Sequence, residues 1–350
     1  MPFAARSAAF CSLLLLGACS TAPVTPFVVE IPAGVIDGRA RFNDIFCAVL
    51  EQHGAQLPDN RTCDGALSPV ASAPIKAGLP VDVGRSRSSL IARAVPGIGY
   101  ACIAPWLHAP ATIRAHLAKS GYDLQMVGVD ALSGIERNAR QIRDAIMAMQ
   151  YPAGPPGIVL IGYSKGVPDA LEAIVKYPEL QQRVAAFVSI AGAVGGSPLA
   201  NDAKQPFTGI FTHWPQAECD PGDGGALDAL RPEVRKAWLA ANRLPPGIRY
   251  YSLVTLPDRE RISRAIEPAY DKLARIDPRN DGQLIYSDQI IPGSTLLGFL
   301  NADHWAVFVP IDRTHDVIGS TLVNHNDYPR EALMEALLRY VEEDLAVARP

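Results

Sequence analysis

Ser164 sits at the centre of Gly162-Tyr163-Ser164-Lys165-Gly166, a hydroxyl with a glycine two residues away on either side. The apolar run Gly157-Ile158-Val159-Leu160-Ile161 precedes it and reads as a buried strand. Val167 to Tyr177 follows, with Leu171, Ile174 and Val175 spaced for one helical face. A serine on a tight strand-to-helix turn projects its hydroxyl, and glycine-sized neighbours let the chain pass that closely. The chemistry this allows is nucleophilic attack by Ser164, provided that a histidine takes its proton and a carboxylate steadies the histidine. His304, in Asn301-Ala302-Asp303-His304-Trp305, is the expected base. Asp281, in Asn280-Asp281-Gly282, is the expected acid, with Asp258 as its rival; Asp277, Asp288 and Asp303 are weaker candidates.

Elements that could position these groups begin near Ser88, where strands and helices start to alternate as in a mostly parallel sheet. Leu90–Val95 reads as a strand, Pro110–Lys119 as a helix, Tyr122–Val129 as a strand and Ile135–Met149 as a helix. The Ser164 strand and helix come next, then a strand over Val184–Ile190. Residues from Gly192 to about Pro246 break the rhythm with Gly, Pro and Asp, around a helical piece at Arg231–Leu244. Strands at Tyr250–Leu256 and Leu296–Leu300 and a closing helix at Pro329–Val347 complete the pattern. His304 therefore follows the last strand, and Asp258 directly follows the strand before it.

From Ser88 onward the chain resembles bacterial α/β-hydrolases of the lipase and esterase type. The matching residues are the G-Y-S-K-G pentapeptide, Pro96-Gly97-Ile98-Gly99, Gly121-Tyr122, Gly196-Ser197-Pro198-Leu199-Ala200, Asn280-Asp281-Gly282 and Asp303-His304. The resemblance implies an α/β-hydrolase fold, a mostly parallel sheet with helices on both faces and a lid over about 192–246. It also implies the chain order Ser164, Asp281, His304 and an oxyanion hole built from the N–H groups of Ile98 and Lys165. Pro96 stands where relatives carry His and has no N–H, so the first donor must lie downstream of it. Lys165 stands where many relatives carry an uncharged residue, and its side chain is expected to point to solvent. The implied activity is hydrolysis of carboxylic esters without a cofactor. Thioester, amide or polyester substrates, or a non-catalytic envelope role, are the other readings of the same scaffold.

The N-terminus reads as a targeting segment. Arg6 precedes an apolar run, Ala8 to Leu16, that is too short to span a bilayer. Leu16-Gly17-Ala18-Cys19 resembles the lipobox of bacterial lipoproteins, which implies removal of residues 1–18, lipidation of Cys19 and an envelope location, with Ser20 leaning toward the outer membrane. Residues 19–87 read as a tether and an N-terminal helical extension, with Phe42, Ile45, Phe46, Val49 and Leu50 on one helical face. Residues 88–350 read as the catalytic domain. Export would leave Cys47, Cys63, Cys102 and Cys219 in an oxidising compartment, where four thiols allow three disulfide connectivities. Cys47–Cys63 closes a short local loop and is favoured, with Cys102–Cys219 by elimination. A net charge of −4 and 19% charged residues give no basic footprint for nucleic acid.

Overall fold

The computed structural model describes residues 26–71, 76–107, 110–150, 157–202 and 222–347. The chain order begins with β1 (Ile36–Asp37), α1 (Arg39–His53), α2 (Cys63–Ala66), β2 (Ile91–Val95), α3 (Tyr100–Leu107) and α4 (Pro110–Ser120). It continues with β3 (Asp123–Met126), α5 (Ile135–Ala148), β4 (Ile158–Tyr163), α6 (Gly166–Lys176), β5 (Val184–Ile190) and α7 (Leu199–Asp202). The remainder is α8 (Pro232–Ala241), β6 (Arg249–Thr255), α9 (Glu267–Ala274), β7 (Thr295–Leu300), α10 (Asp316–Thr321) and α11 (Arg330–Ala346). The seven strands form one sheet in the order β1-β7-β6-β5-β4-β2-β3, and every pair of neighbours is parallel.

The uninterrupted apolar runs of β4 and β5 follow from burial on both faces. In β4, Val159, Ile161 and Tyr163 face a core shared with α1, α4 and α11, while Ile158 and Leu160 face α5 and α6. In β5, Ala186, Val188 and Ile190 take the first face and Val184 and Phe187 the second. Alternation at period two, interrupted only by a register shift between Val184 and Ala186, thus feeds two helix layers, one on each side of the sheet.

The segment before Ser88 belongs to the same sheet and core. Ile36 pairs with Thr295, placing β1 beside β7. Phe42, Ile45, Phe46 and Val49 of α1 are fully buried, each worth about 1.5–3 kcal/mol in removed apolar surface. Cys47 and Cys63 are joined, with Cα atoms 5.1 Å apart, and tie α1 to α2. Cys102 is disulfide-bonded as well; Cys219, its partner in the sequence reading, lies outside the described residues. So do Cys19 and the preceding targeting segment. Among the described residues no helix is long and apolar enough to cross a membrane.

Candidate active site

The C-terminal ends of β2, β4, β6 and β7 converge on Ser164, as parallel sheets place their sites at that edge. Ser164 follows β4 directly with φ +53°, a left-handed conformation unusual for a residue with a side chain. Such strain persists where surrounding contacts over-determine it. Here the Ser164 N–H donates to Ile190 O and its carbonyl accepts from Val167 N and Ala193 N. A side chain at Gly166 would strike the Val95 carbonyl oxygen and come within 2.6 Å of that of Pro96. The loop after β2 also passes so close that a Cβ at Gly97 would lie 2.9 Å from Ser164 Cβ.

Three side chains form a continuous chain of hydrogen bonds. Ser164 Oγ lies 2.9 Å from His304 Nε2, and His304 Nδ1 lies 2.8 Å from Asp281 Oδ2. All three residues are buried, Asp281 completely. Asp281 is held from every side. Its Oδ1 accepts from the N–H groups of Gln283 and Leu284, and its Oδ2 from Thr255 Oγ1 at 2.5 Å and Gln289 Nε2 at 3.3 Å. His304 is fixed through its backbone, its N–H donating to Asp281 O and its carbonyl accepting from Tyr163 Oη at 2.7 Å. Burial, with Asp281 and Asp303 nearby, pushes the Tyr163 phenol well above its usual range, so it remains a donor. Its ring stacks on Phe308 with centroids 4.4 Å apart.

The other carboxylates do different work. Asp258 exchanges two hydrogen bonds with Asn301, each 2.9 Å, and shapes the turn after β6. Asp303 accepts from the N–H groups of Ser263, Trp305 and Ala306 and so braces the loop that carries His304. Thr255, Gln289 and Tyr163 were not singled out by sequence reasoning. Thr255 ends β6, and that position beside the crevice was the available signal. Among the described residues, no protein acceptor is found for the N–H groups of Ile98 and Lys165. Gly99 N–H, one residue on, is already committed to Ala131 O.

The Lys165 side chain departs from expectation. It is buried rather than solvated, with Nζ 2.7 and 2.8 Å from the two oxygens of Asp169 at i+4. Asp169 also accepts from Asn138 Nδ2 at 2.8 Å. Burial pushes the Asp169 carboxyl up, against the pull of Lys165 and Asn138. The pair anchors the first turn of α6 on α5, directly behind the Ser164 turn. Lys165→Met should therefore destabilise the fold by ~3–5 kcal/mol, because it strands a buried carboxylate. Lys165→Met with Asp169→Leu should recover much of that loss. Denaturant unfolding of the two variants checks this; equal stability of the single variant and the parent would refute the buried-pair account.

The stretch read as a lid is described only at its two ends, and Phe207, Ile210, Phe211 and Trp214 lie outside the described residues. At one end, Ser197 Oγ donates to Gln283 O at 2.6 Å. At the other, Asp223 accepts from Gly134 N at 2.6 Å and Trp238 Nε1 donates to Glu172 at 2.5 Å. Both ends are thus docked on the body of the domain.

A parallel sheet flanked by helices, with a strained serine on the turn between a central strand and its helix, defines the α/β-hydrolase fold. Among solved structures, a metagenomic carboxyl esterase matches with a TM-score of 0.82 and 40% sequence identity, over 91% of this chain and 97% of that one. The mature form of a Bacillus licheniformis lipase shares the fold with a TM-score of 0.52 and 17% identity, over 69% of this chain and 95% of that one. No protein-family model and no curated protein matches the chain. The chain belongs to the family of the metagenomic enzyme, the α/β-hydrolase carboxylic-ester hydrolases.

Proposed function

We propose that this ester hydrolase works through an acyl-enzyme formed on Ser164. Neutral His304 takes the hydroxyl proton through Nε2 as Ser164 Oγ attacks the ester carbonyl. Asp281 keeps the Nδ1 proton in place and stabilises the imidazolium that forms. The N–H groups of Ile98 and Lys165 receive the developing oxyanion. His304 then returns its proton to the leaving alcohol, and a water molecule, activated by the same nitrogen, releases the acid. The observation that carries this reading is the unbroken contact chain from Asp281 through His304 to Ser164 at the C-terminal edge of the sheet. The charge and proton movements need only these groups and water. The test is turnover of p-nitrophenyl esters across acyl lengths. Absence of turnover at every length, in protein that is folded by circular dichroism, would overturn the reading.

The proposal extends to location: an exported protein, cut before Cys19 and held to the cell envelope through lipid on that residue.

 The motivating residues are Leu16-Gly17-Ala18-Cys19 behind a short apolar run. A single acyl chain binds membranes only marginally, so the diacylglyceryl and amide-linked chains together would supply the hold. Cys19→Ala should release the protein from the membrane fraction and abolish incorporation of a labelled fatty acid. Mature protein with an unmodified N-terminus by mass spectrometry would refute the anchor.

A further inference from the structure

Outside the Ser164 site, three helices bring two imidazoles to one carboxylate. His53 ends α1, His116 lies on α4 and Glu335 lies on α11. Glu335 Oε2 is 3.0 Å from His53 Nδ1 and 2.6 Å from His116 Nε2, and the three atoms lie within 4.8 Å of one another. The other oxygen, Oε1, accepts from Arg339 Nε at 2.8 Å and Nη2 at 2.6 Å. Glu335 is fully buried, whereas the His53 side chain keeps 27% of its surface exposed.

We propose that His53 Nδ1, His116 Nε2 and Glu335 Oε2 form a binding site for a divalent late first-row transition metal, zinc foremost. Two imidazoles and one carboxylate suit zinc, which accepts three protein ligands with water in the fourth position. Tetrahedral coordination at about 2.0–2.1 Å spaces ligand atoms roughly 3.3 Å apart, so the two contacts to Oε2 need to widen by about 0.3 and 0.7 Å, and the two ring nitrogens, within 4.8 Å of each other, need to settle at the same spacing. Each ring must move its proton to its other nitrogen so that a lone pair faces the ion. Arg339 holds Oε1 and so aims Oε2 at the rings, the part an outer-shell partner plays in metal sites. The partly exposed His53 gives the ion a path from solvent and room for a water ligand.

Glu335 is ready as an anionic ligand. The Arg339 guanidinium, bonded twice to Oε1, favours the ionised carboxylate and stays in place when the rings turn their lone pairs to the ion. Metal here would fasten α1 to α11 through His53 and Glu335, 282 residues apart in sequence, and would be structural rather than part of the ester chemistry.

The test begins with the full-length protein stripped by a chelator and dialysed. Titration with zinc alone, followed by calorimetry, should show one saturable site per chain. Zinc at about 100 times its Kd should raise Tm by on the order of 5 °C. His53→Gln and His116→Gln each keep a side-chain N–H for Glu335 while removing the imidazole ligand. Both should fold and turn over ester like the metal-free parent, and both should lose the site and the Tm response. A parent that takes up no zinc, or a site that survives in either variant, overturns the proposal and leaves the cluster as a hydrogen-bonded clamp.

Discussion

Ser164→Ala is expected to lower kcat for ester hydrolysis by about 10⁶-fold, with KM little changed. The size of the loss follows from the site acting as a unit. Without Oγ, the His304 imidazole has nothing to deprotonate, and water would have to attack from a position that no group holds. What remains is the catalysis that binding and backbone N–H groups supply alone, about 10³–10⁴-fold over water. The fold should survive. Alanine removes one hydrogen-bond partner, that of His304 Nε2, and leaves the strained backbone held by Ile190, Val167 and Ala193. A fluorophosphonate probe should label the parent once and the variant not at all. Labelling that persists in Ser164→Ala would place the nucleophile elsewhere.

Asp281→Asn should cost about 10⁴-fold in kcat, again with little change in KM. The carboxylate accepts five hydrogen bonds, from His304, Thr255, Gln283, Leu284 and Gln289. An amide offers one oxygen where two were needed. If its nitrogen faces His304, it donates to Nδ1 and puts the imidazole proton on Nε2, where a base must have a lone pair. If its nitrogen faces Gln283 and Leu284, two backbone donors lose their acceptor and the loop loosens. Asp258→Asn is the control. It disturbs only the bond that Asn301 Nδ2 donates to Asp258 Oδ2 and should keep activity within a few-fold. Two active variants would mean that neither residue supplies the acid.

The fold was legible where local pattern and burial agree. Val184–Ile190 reads as a strand because each residue is apolar or small, and both faces of the sheet are in fact covered. β1 was not legible, since a two-residue strand carries no periodicity and is defined only by its pairing with β7. α3 was missed because Pro105 falls inside it, where the residue is usually a helix breaker. Ser164, Asp281 and His304 stood out by motif and chain order, and the structure brings these three within hydrogen-bond reach. The fate of Lys165 was within reach too. Asp169 lies four residues on, the spacing at which helical side chains meet. A charged residue beside a serine turn was read as surface because burial cannot be seen from spacing alone. The cluster at Glu335 had no such signal, because its members come from distant parts of the chain.

The pairing of β1 with β7 also has a bearing on the order in which the molecule can assemble. Synthesis delivers β1 and α1 well before their neighbours β7 and α11. Arg41, for example, waits for Glu343, 302 residues later. Until then the buried face of α1 has no sheet to cover it, and contacts near in sequence, such as those of Arg41 with Leu79 O and Pro80 O, are what can restrain it. Contacts of such long range are slow to form, since their loop-closure entropy precedes any gain. The edge strand β1 therefore docks late, as a cover for the start of β7, whose backbone would otherwise stand open there to pairing with another chain.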